Sequence, residues 1–377
     1  MANSNELIQK SKTKQRNASI EFLRILSMLL IIFLHSIDHS GVLEASKTSS
    51  MITYYYVQFT YMMTQVCVNL YVLISGYFLV KSKFNICKLI ILWIEVVFYS
   101  LVIRLVFIAL GYQPFSVGSI LSCLVPVITG RYWFITIYFG LYLIFPFINI
   151  LINSMNKKQH TILCVVMFLL SSVMVSLHPS LKGMNSGAGW GLAWFVVLYI
   201  MASWFRLYYT PNYKWICKIL LWVGISLIVT ILMGIGDRIL IVGNIASNMY
   251  RYDSVPTLFS SLCIFSAFLN IRIKKYSIFS RIILFIAPST LGVYLIHAHA
   301  NFSPWSWEFL NLPSYMDSYL FPFIQFGAVV GIFVFCIIID IIRRYTIARI
   351  EKSKIVFIVS KKITLLVDRL FLKIASK

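Results

Sequence analysis

The sequence predicts an all-α, polytopic membrane protein with about ten transmembrane helices, both termini in the cytosol and an amphipathic C-terminal helix. Three observations carry this. First, 60% of the 377 residues are hydrophobic and only 12% are charged, about half the charged fraction of a soluble domain. Second, apolar runs of roughly 18–25 residues with few charges recur along the chain, each long enough to cross hydrocarbon as a helix. Third, lysine and arginine are segregated to alternate connections, as membrane topology requires.

The chain opens with a polar, basic stretch, MANSNELIQKSKTKQRN, residues 1–17. It lacks the early apolar core and small-residue cleavage site of a secretory signal, so it reads as a retained cytosolic tail. Ten apolar runs follow, near 20–38, 56–80, 88–111, 132–152, 160–177, 189–208, 215–234, 255–271, 281–298 and 319–342. The N-terminal tail, the even-numbered connections and the C-terminal tail together carry 26 Lys and Arg residues. The odd-numbered connections carry five: Lys47, Arg131, Lys182, Arg238 and Arg251. That asymmetry puts both termini inside and demands an even number of spans, which ten satisfies. Residues 18–345 form one membrane domain. From 346 to 377, apolar residues recur at helical spacing between lysines and arginines. This is the pattern of a helix lying on the anionic inner leaflet.

The formal net charge of +21 would point to nucleic acid in a soluble protein. Here the basic residues sit in loops and tails, and no basic stripe is interleaved with stacking aromatics, so nucleic acid is excluded as a partner. The seven cysteines (Cys67, Cys87, Cys123, Cys164, Cys217, Cys263 and Cys336) are scattered without a CxxC pair. They read as small packing residues, with neither a metal site nor a disulfide framework.

The first span, IEFLRILSMLLIIFLHSIDH (20–39), is apolar yet holds Glu21, Arg24, His35 and Asp38. Arg24 and His35 are eleven residues apart, which places them about 20° apart in azimuth and about 16 Å apart along a helix axis. Glu21 lies one turn before Arg24 and Asp38 one turn after His35, so both neighbour the same face. Ionisable groups inside a span usually face a bundle interior or an aqueous cavity. The alternative is that Glu21 and Arg24 sit at the inner boundary and snorkel to water. On the first reading, one helix face offers a cation near the cytosol and a base toward the outside. That arrangement suits a phosphate-bearing cytosolic donor and an acceptor across the membrane.

The Glu21-Phe22-Leu23-Arg24 segment, followed by ten residues and His35, resembles the R-x10-H signature of the acyltransferase 3 family of membrane acyltransferases. Three later segments resemble the same family in the same order. They are VNLYVLISGYFL (68–79), RYWFITIYFGLYLIFPFIN (131–149) and STLGVYLIHAH (289–299). Glu21 departs from the family pattern, which commonly has Asp there. The resemblance implies transfer of an acyl group, often acetyl from acetyl-CoA, to a hydroxyl of a cell-surface polysaccharide or lipid-linked glycan. It also implies a multi-pass protein of the bacterial plasma membrane, a single-domain member with no extracellular SGNH-type hydrolase domain following. Heavy use of Ile, Lys and Asn fits an A/T-rich bacterial genome.

Such chemistry needs a base for the hydroxyl proton, and the resemblance assigns it to His35, with Asp38 to orient the ring. An acyl-histidine intermediate is an open alternative. Cations for the acyl-CoA phosphates would be Arg24, Lys81, Lys83 and Arg281, the last three equally readable as topology charges. Donors to the developing oxyanion, all in motif-like segments, would be Asn69, Ser75, Tyr77, Arg131 and Tyr294. Arg131 beside Tyr132 and Trp133 suits sugar binding as well as interfacial anchoring. His297 shares a helix face with Tyr294 and joins the substrate-binding candidates. His299 is expected to face water, His39 to lie at the interface, and His160 and His178 to lie in loops. Glu95 and Arg104 are nine residues apart in one span, hence on opposite faces, and need partners elsewhere. No metal is expected. A glycan transporter, flippase or exporter component is the second reading, although no inverted repeat or matched pair of broken helices supports it.

Overall fold

The structure, a computed structural model, describes residues 16–178, 187–212, 214–236 and 248–346. Most of the expected N-terminal tail, the expected C-terminal amphipathic helix from 347 onward, and Lys182 and Arg238 lie outside the described residues. Among the described residues the chain is helical and contains no strand.

The helices follow the predicted runs. α1 (Ala18–Asp38) starts where the Asn17 side chain accepts from the Ser19 amide at 3.0 Å, relieving one of the unpaired N–H groups of the first turn. A short helix, α2 (Val42–Ser46), turns the chain into α3 (Met51–Thr64) and α4 (Val66–Leu79). α5 (Ile86–Ala109) is capped by the Asn85 side chain on the Cys87 amide, and α6 (Val117–Leu124) is a short helix beyond it. α7 (Trp133–Asn153) keeps Pro146 inside it, and α8 (Lys157–Phe168) continues through a π turn to Leu177. Then come α9 (Leu192–Tyr208), α10 (Trp215–Gly236) and α11 (Val255–Asn270). The last four are α12 (Ile278–Ile286), α13 (Thr290–His297), α14 (Phe302–Leu310) and α15 (Phe321–Thr346). Among the described residues, nine helical stretches are long and apolar enough to cross a membrane. α9, with 17 residues, is a shorter apolar helix at the place of the sixth predicted span.

Two predicted spans are interrupted where a straight helix was expected. The second run is longer than predicted, 29 residues from Met51 to Leu79, and its two helices meet at Gln65. The ninth is cut into α12 and α13 by a 3-10 turn over Ala287–Ser289, because Pro288 has no N–H to continue the α-helical ladder.

α1 is the hub of the bundle. It packs against α3, α4, α11, α12, α13 and α15, so its sides face protein more than lipid. This position makes its charges tolerable: ionisable groups in a span are turned inward, where partners and water can reach them. Two glycines set helix spacing near it. A Cβ at Gly76 on α4 would lie 2.9 Å from the Ala202 Cβ and 3.1 Å from the Tyr199 Cα of α9, tighter than normal carbon contacts. Gly292 on α13 meets the Asp340 side chain of α15 in the same way.

Asp340 belongs to a buried ionic cluster. Arg343 Nη2 donates to Glu95 Oε1 at 2.7 Å and Arg343 Nε to Asp340 Oδ1 at 3.0 Å. The Tyr99 hydroxyl donates to Asp340 Oδ1 at 2.7 Å. The cluster ties α5 to α15 and supplies the partner that Glu95 needed. Arg104 pairs separately, its Nη1 donating to Gln113 Oε1 and its Nη2 to the Pro114 carbonyl, each at 3.0 Å.

Two expectations about histidines are corrected. His299 does not face water: it is 1% exposed, with Nε2 3.3 Å from the Ser100 carbonyl and Nδ1 accepting from the Asn301 amide at 3.1 Å. Burial pushes its imidazole down to about 4. His160 is not in a loop: it lies in the first turn of α8, buried, with Nε2 3.1 Å from the Ile200 carbonyl of α9.

Candidate active site

The stripe of α1 that carries its charges opens on a cavity of about 370 Å³, within the range of small-molecule sites. Arg24, Met28, Ile31, His35 and Asp38 line it at successive spacings of four, three, four and three residues along one helical face, flanked by Leu34 and His39. From Arg24 to Asp38 the cavity follows fourteen residues of helix, about 21 Å at 1.5 Å per residue, most of the hydrocarbon thickness. At the end where α1 begins, Leu79 of α4 and Lys88, Leu89 and Leu92 of α5 close the wall. At the end where α1 finishes, Trp133, Trp190 and Tyr252 form an aromatic wall beside Asp38 and His39. The Trp133 and Trp190 rings are 4.4 Å apart, and Tyr252 stacks nearly parallel to Trp133 at 6.4 Å. Cys67, Tyr71 and Ser75 from α4, Tyr138 from α7, and Thr290 and Tyr294 from α13 complete the lining.

Arg24 sits at one end with its side chain 32% exposed, and its Nε is 3.6 Å from Glu21 Oε2. That is an ion pair beyond hydrogen-bond reach. Glu21 itself is 7% exposed at the side chain and lies behind Arg24, outside the cavity wall. The pair therefore neutralises part of the arginine charge while leaving the guanidinium open to the cavity.

His35 lies about 16 Å further along the axis. Its Nδ1 is buried without a hydrogen-bond partner. The His39 ring stacks on it at 4.3 Å with an interplanar angle of 19°, and the His297 ring of α13 lies 5.1 Å away, tilted 40°. No group of His, Cys, Asp or Glu among the described residues could hold a metal ion. Asp38, expected to orient His35, does not hydrogen-bond to it. It lies beside the Tyr61 hydroxyl of α3 instead. One turn along a helix, the short Asp side chain swings to α3 more readily than back to the His35 ring.

The other predicted positions divide between the cavity and the scaffold. Ser75, Trp133 and Tyr294 line the cavity. His297 stands behind His35, 1% exposed, with Nδ1 2.6 Å from the Val293 carbonyl. Asn69 is a buried cross-link away from the wall. It donates to the Tyr252 carbonyl at 2.8 Å and accepts from Trp194 Nε1 at 2.9 Å, so it holds the loop that carries Tyr252. Tyr77 accepts from Arg206 Nη1 at 3.1 Å, with that guanidinium over its ring. Arg131 donates to Ser122 Oγ and Cys123 Sγ, both at 3.2 Å, and does not line the cavity. Lys81, Lys83 and Arg281 are exposed and outside the wall.

Several lining residues were not singled out from sequence. Lys88, one of the basic residues between the second and third predicted spans, lines the cavity. Tyr71 is one helical turn before Ser75 and shares its face, a spacing that was legible. Tyr252 comes from a connection that helical periodicity does not describe, and Trp190, at the edge of the run predicted over 189–208, precedes the start of α9 at Leu192.

Two of three comparisons with known proteins match nothing: neither a curated protein nor a solved structure is recovered. The third does. The acyltransferase 3 model, described as an acyltransferase domain, matches residues 17–341, which run from the cap of α1 into α15.

Proposed function

Since the chain belongs to the acyltransferase 3 family and is a membrane acyltransferase, we propose that it moves an acyl group, acetyl in the simplest case, from acyl-CoA to a glycan hydroxyl. The acceptor is a cell-surface polysaccharide or a lipid-linked glycan, and the protein sits in a bacterial plasma membrane with both termini inside. The observation that carries this reading is one cavity holding Arg24 and His35 at separate depths of the same helix.

With the start of α1 on the cytosolic side, Arg24 and Lys88 receive the phosphates of the donor, with Lys81, Lys83 and Arg281 supplementing the field at the inner surface. The thioester arm reaches along the cavity toward His35. A sugar enters from the opposite end, where Trp133, Trp190 and Tyr252 give flat apolar faces for its C–H surfaces. The acceptor hydroxyl oxygen then attacks the thioester carbon. The C–O bond forms and the C–S bond breaks, while His35 takes the hydroxyl proton and returns it to the departing thiolate. Ser75 and Tyr294, which line the cavity, are candidate donors to the developing oxyanion.

The test is His35→Ala, compared with wild type for ester content on the surface polymer, with membrane insertion checked by protease accessibility. Loss of ester with normal polymer export is expected. Normal ester content in a correctly inserted variant overturns the assignment, and loss of export in place of ester points to transport.

A further inference from the structure

We infer that His297 is the positioning residue of His35, fixing its tautomer so that the ring nitrogen facing the cavity is the free base. The inference rests on the reading of His35 as the base and adds how that base is held.

The assignment starts from a carbonyl. His297 Nδ1 lies 2.6 Å from the Val293 carbonyl oxygen, and a carbonyl accepts only, so Nδ1 carries the proton and donates. Neutral His297 then has a lone pair at Nε2. That atom is buried and has no hydrogen-bond partner. The neighbouring ring, His35, is in the complementary condition, for its Nδ1 is also buried without a partner. An unsatisfied buried polar atom costs about 1–3 kcal/mol, and two on adjacent rings invite one bond between them.

The separation permits it. Two imidazoles joined by an in-line N–H···N bond of about 2.9 Å have centroids about 5.2 Å apart, taking each nitrogen as ~1.15 Å from its centroid. The His35 and His297 centroids are 5.1 Å apart, and the 40° tilt leaves a rotation of the His35 ring to complete alignment. Catalytic hydrogen bonds in the absence of substrate are commonly misaligned in this way. When the bond closes, His35 Nδ1 donates, and its Nε2 keeps a lone pair for the acceptor proton. The other neighbours cannot do this. His39 presents its ring face to His35, with its own Nδ1 at 3.3 Å from Ser303 Oγ, and Asp38 makes no hydrogen bond to His35 and lies beside the Tyr61 hydroxyl.

Three measurements test this. In wild-type protein labelled with ¹⁵N-histidine, the His35 resonances, assigned through His35→Ala, should report the Nδ1–H tautomer. His297→Leu, which removes the acceptor, should lower kcat about 10–100-fold, taking the range seen when the partner that orients a metal-ligating histidine is lost, with the KM for acyl donor unchanged. His297→Gln, whose Oε1 reaches the place of Nε2, should restore most of that loss. A His35 Nε2–H tautomer in wild type overturns the inference without reference to any variant. So does wild-type kcat in His297→Leu, or equal loss in the Leu and Gln variants. If His35→Ala itself keeps full turnover, the base assignment falls. An inactive His35→Ala beside a fully active His297→Leu overturns only the role of His297.

Discussion

Gly292→Ala tests whether the spacing of α13 from α15 sets the geometry at His35. The added methyl would lie 2.8 Å from the Asp340 Cβ and closer still to its carboxylate. Carbon atoms rest at about 3.5–4.0 Å, so the two helices must part by close to 1 Å or Asp340 must turn away. It cannot turn cheaply. Asp340 Oδ1 is held by Tyr99 at 2.7 Å and by Arg343 at 3.0 Å, and its side chain is fully buried. Movement therefore falls on α13, which carries Tyr294 in the cavity wall and His297 against His35. Overpacking of this kind costs about 1–3 kcal/mol of stability, and a 1 Å misplacement of a catalytic group can cost about 10²-fold in rate. The assay is acyl transfer by the purified variant in proteoliposomes, alongside thermal unfolding in detergent. We expect kcat to fall by one to two orders of magnitude while the protein remains folded. Turnover within a factor of two of wild type would refute the claim that this contact positions the site.

The remaining predictions address the charges and the two cavity ends. Arg343→Met leaves the Glu95 and Asp340 carboxylates buried without their cation and should destabilise the protein by about 3–5 kcal/mol. Detergent unfolding measures this, and an unchanged midpoint would remove the cluster from the account of stability. His299 is neutral in the fold with a value near 4, against about 6.5 when unfolded, so it adds no pH dependence above 6.5. As pH falls from 6.5 to 4 the unfolded chain binds the proton first, and stability drops by up to about 3 kcal/mol. His299→Gln should flatten that part of an unfolding-versus-pH profile. Trp190→Ala removes one stacked face of the aromatic wall and should raise the KM for the glycan acceptor by about tenfold, leaving the donor KM unchanged in steady-state kinetics.

How far the sequence led depended on whether the signal was periodic or spatial. Hydropathy located every span, and the Arg24–His35 spacing identified the helix face that opens on the cavity. These follow from 3.6 residues per turn and need no tertiary information. The break at Gln65 carries no proline or glycine signal, whereas Pro288 marks in sequence the place where α12 gives way to α13. Partner choice was also beyond reach. Asp38 is one turn from His35 in sequence, yet its carboxylate meets Tyr61 of α3. Asn69 and Tyr77 sit in a motif-like segment because they hold α4 to its neighbours, through Trp194 and Arg206 respectively. A polar residue in a recognisable motif can thus owe its place to packing as readily as to chemistry.

The four ionisable groups of α1 can now be assigned separate physical duties. Arg24 and His35 face the cavity at its two depths, Asp38 is engaged toward α3, and Glu21 stands behind Arg24 with 7% of its side chain exposed. A lone arginine at this depth would cost several kcal/mol or draw its side chain out to water. A carboxylate at 3.6 Å lowers that cost without closing a bidentate pair that would occupy the guanidinium. Glu21 is therefore best understood as the counter-ion that keeps Arg24 inside and available. Glu21→Gln removes the charge and keeps the shape, so it should raise the KM for acyl donor about tenfold as Arg24 redistributes toward water, with kcat nearly unchanged. Glu21→Asp, which keeps the charge on a shorter arm, should stay within about threefold of wild type. A collapse of kcat with unchanged donor KM in Glu21→Gln would instead place Glu21 among the groups that act on the reacting atoms, and the counter-ion account would fail.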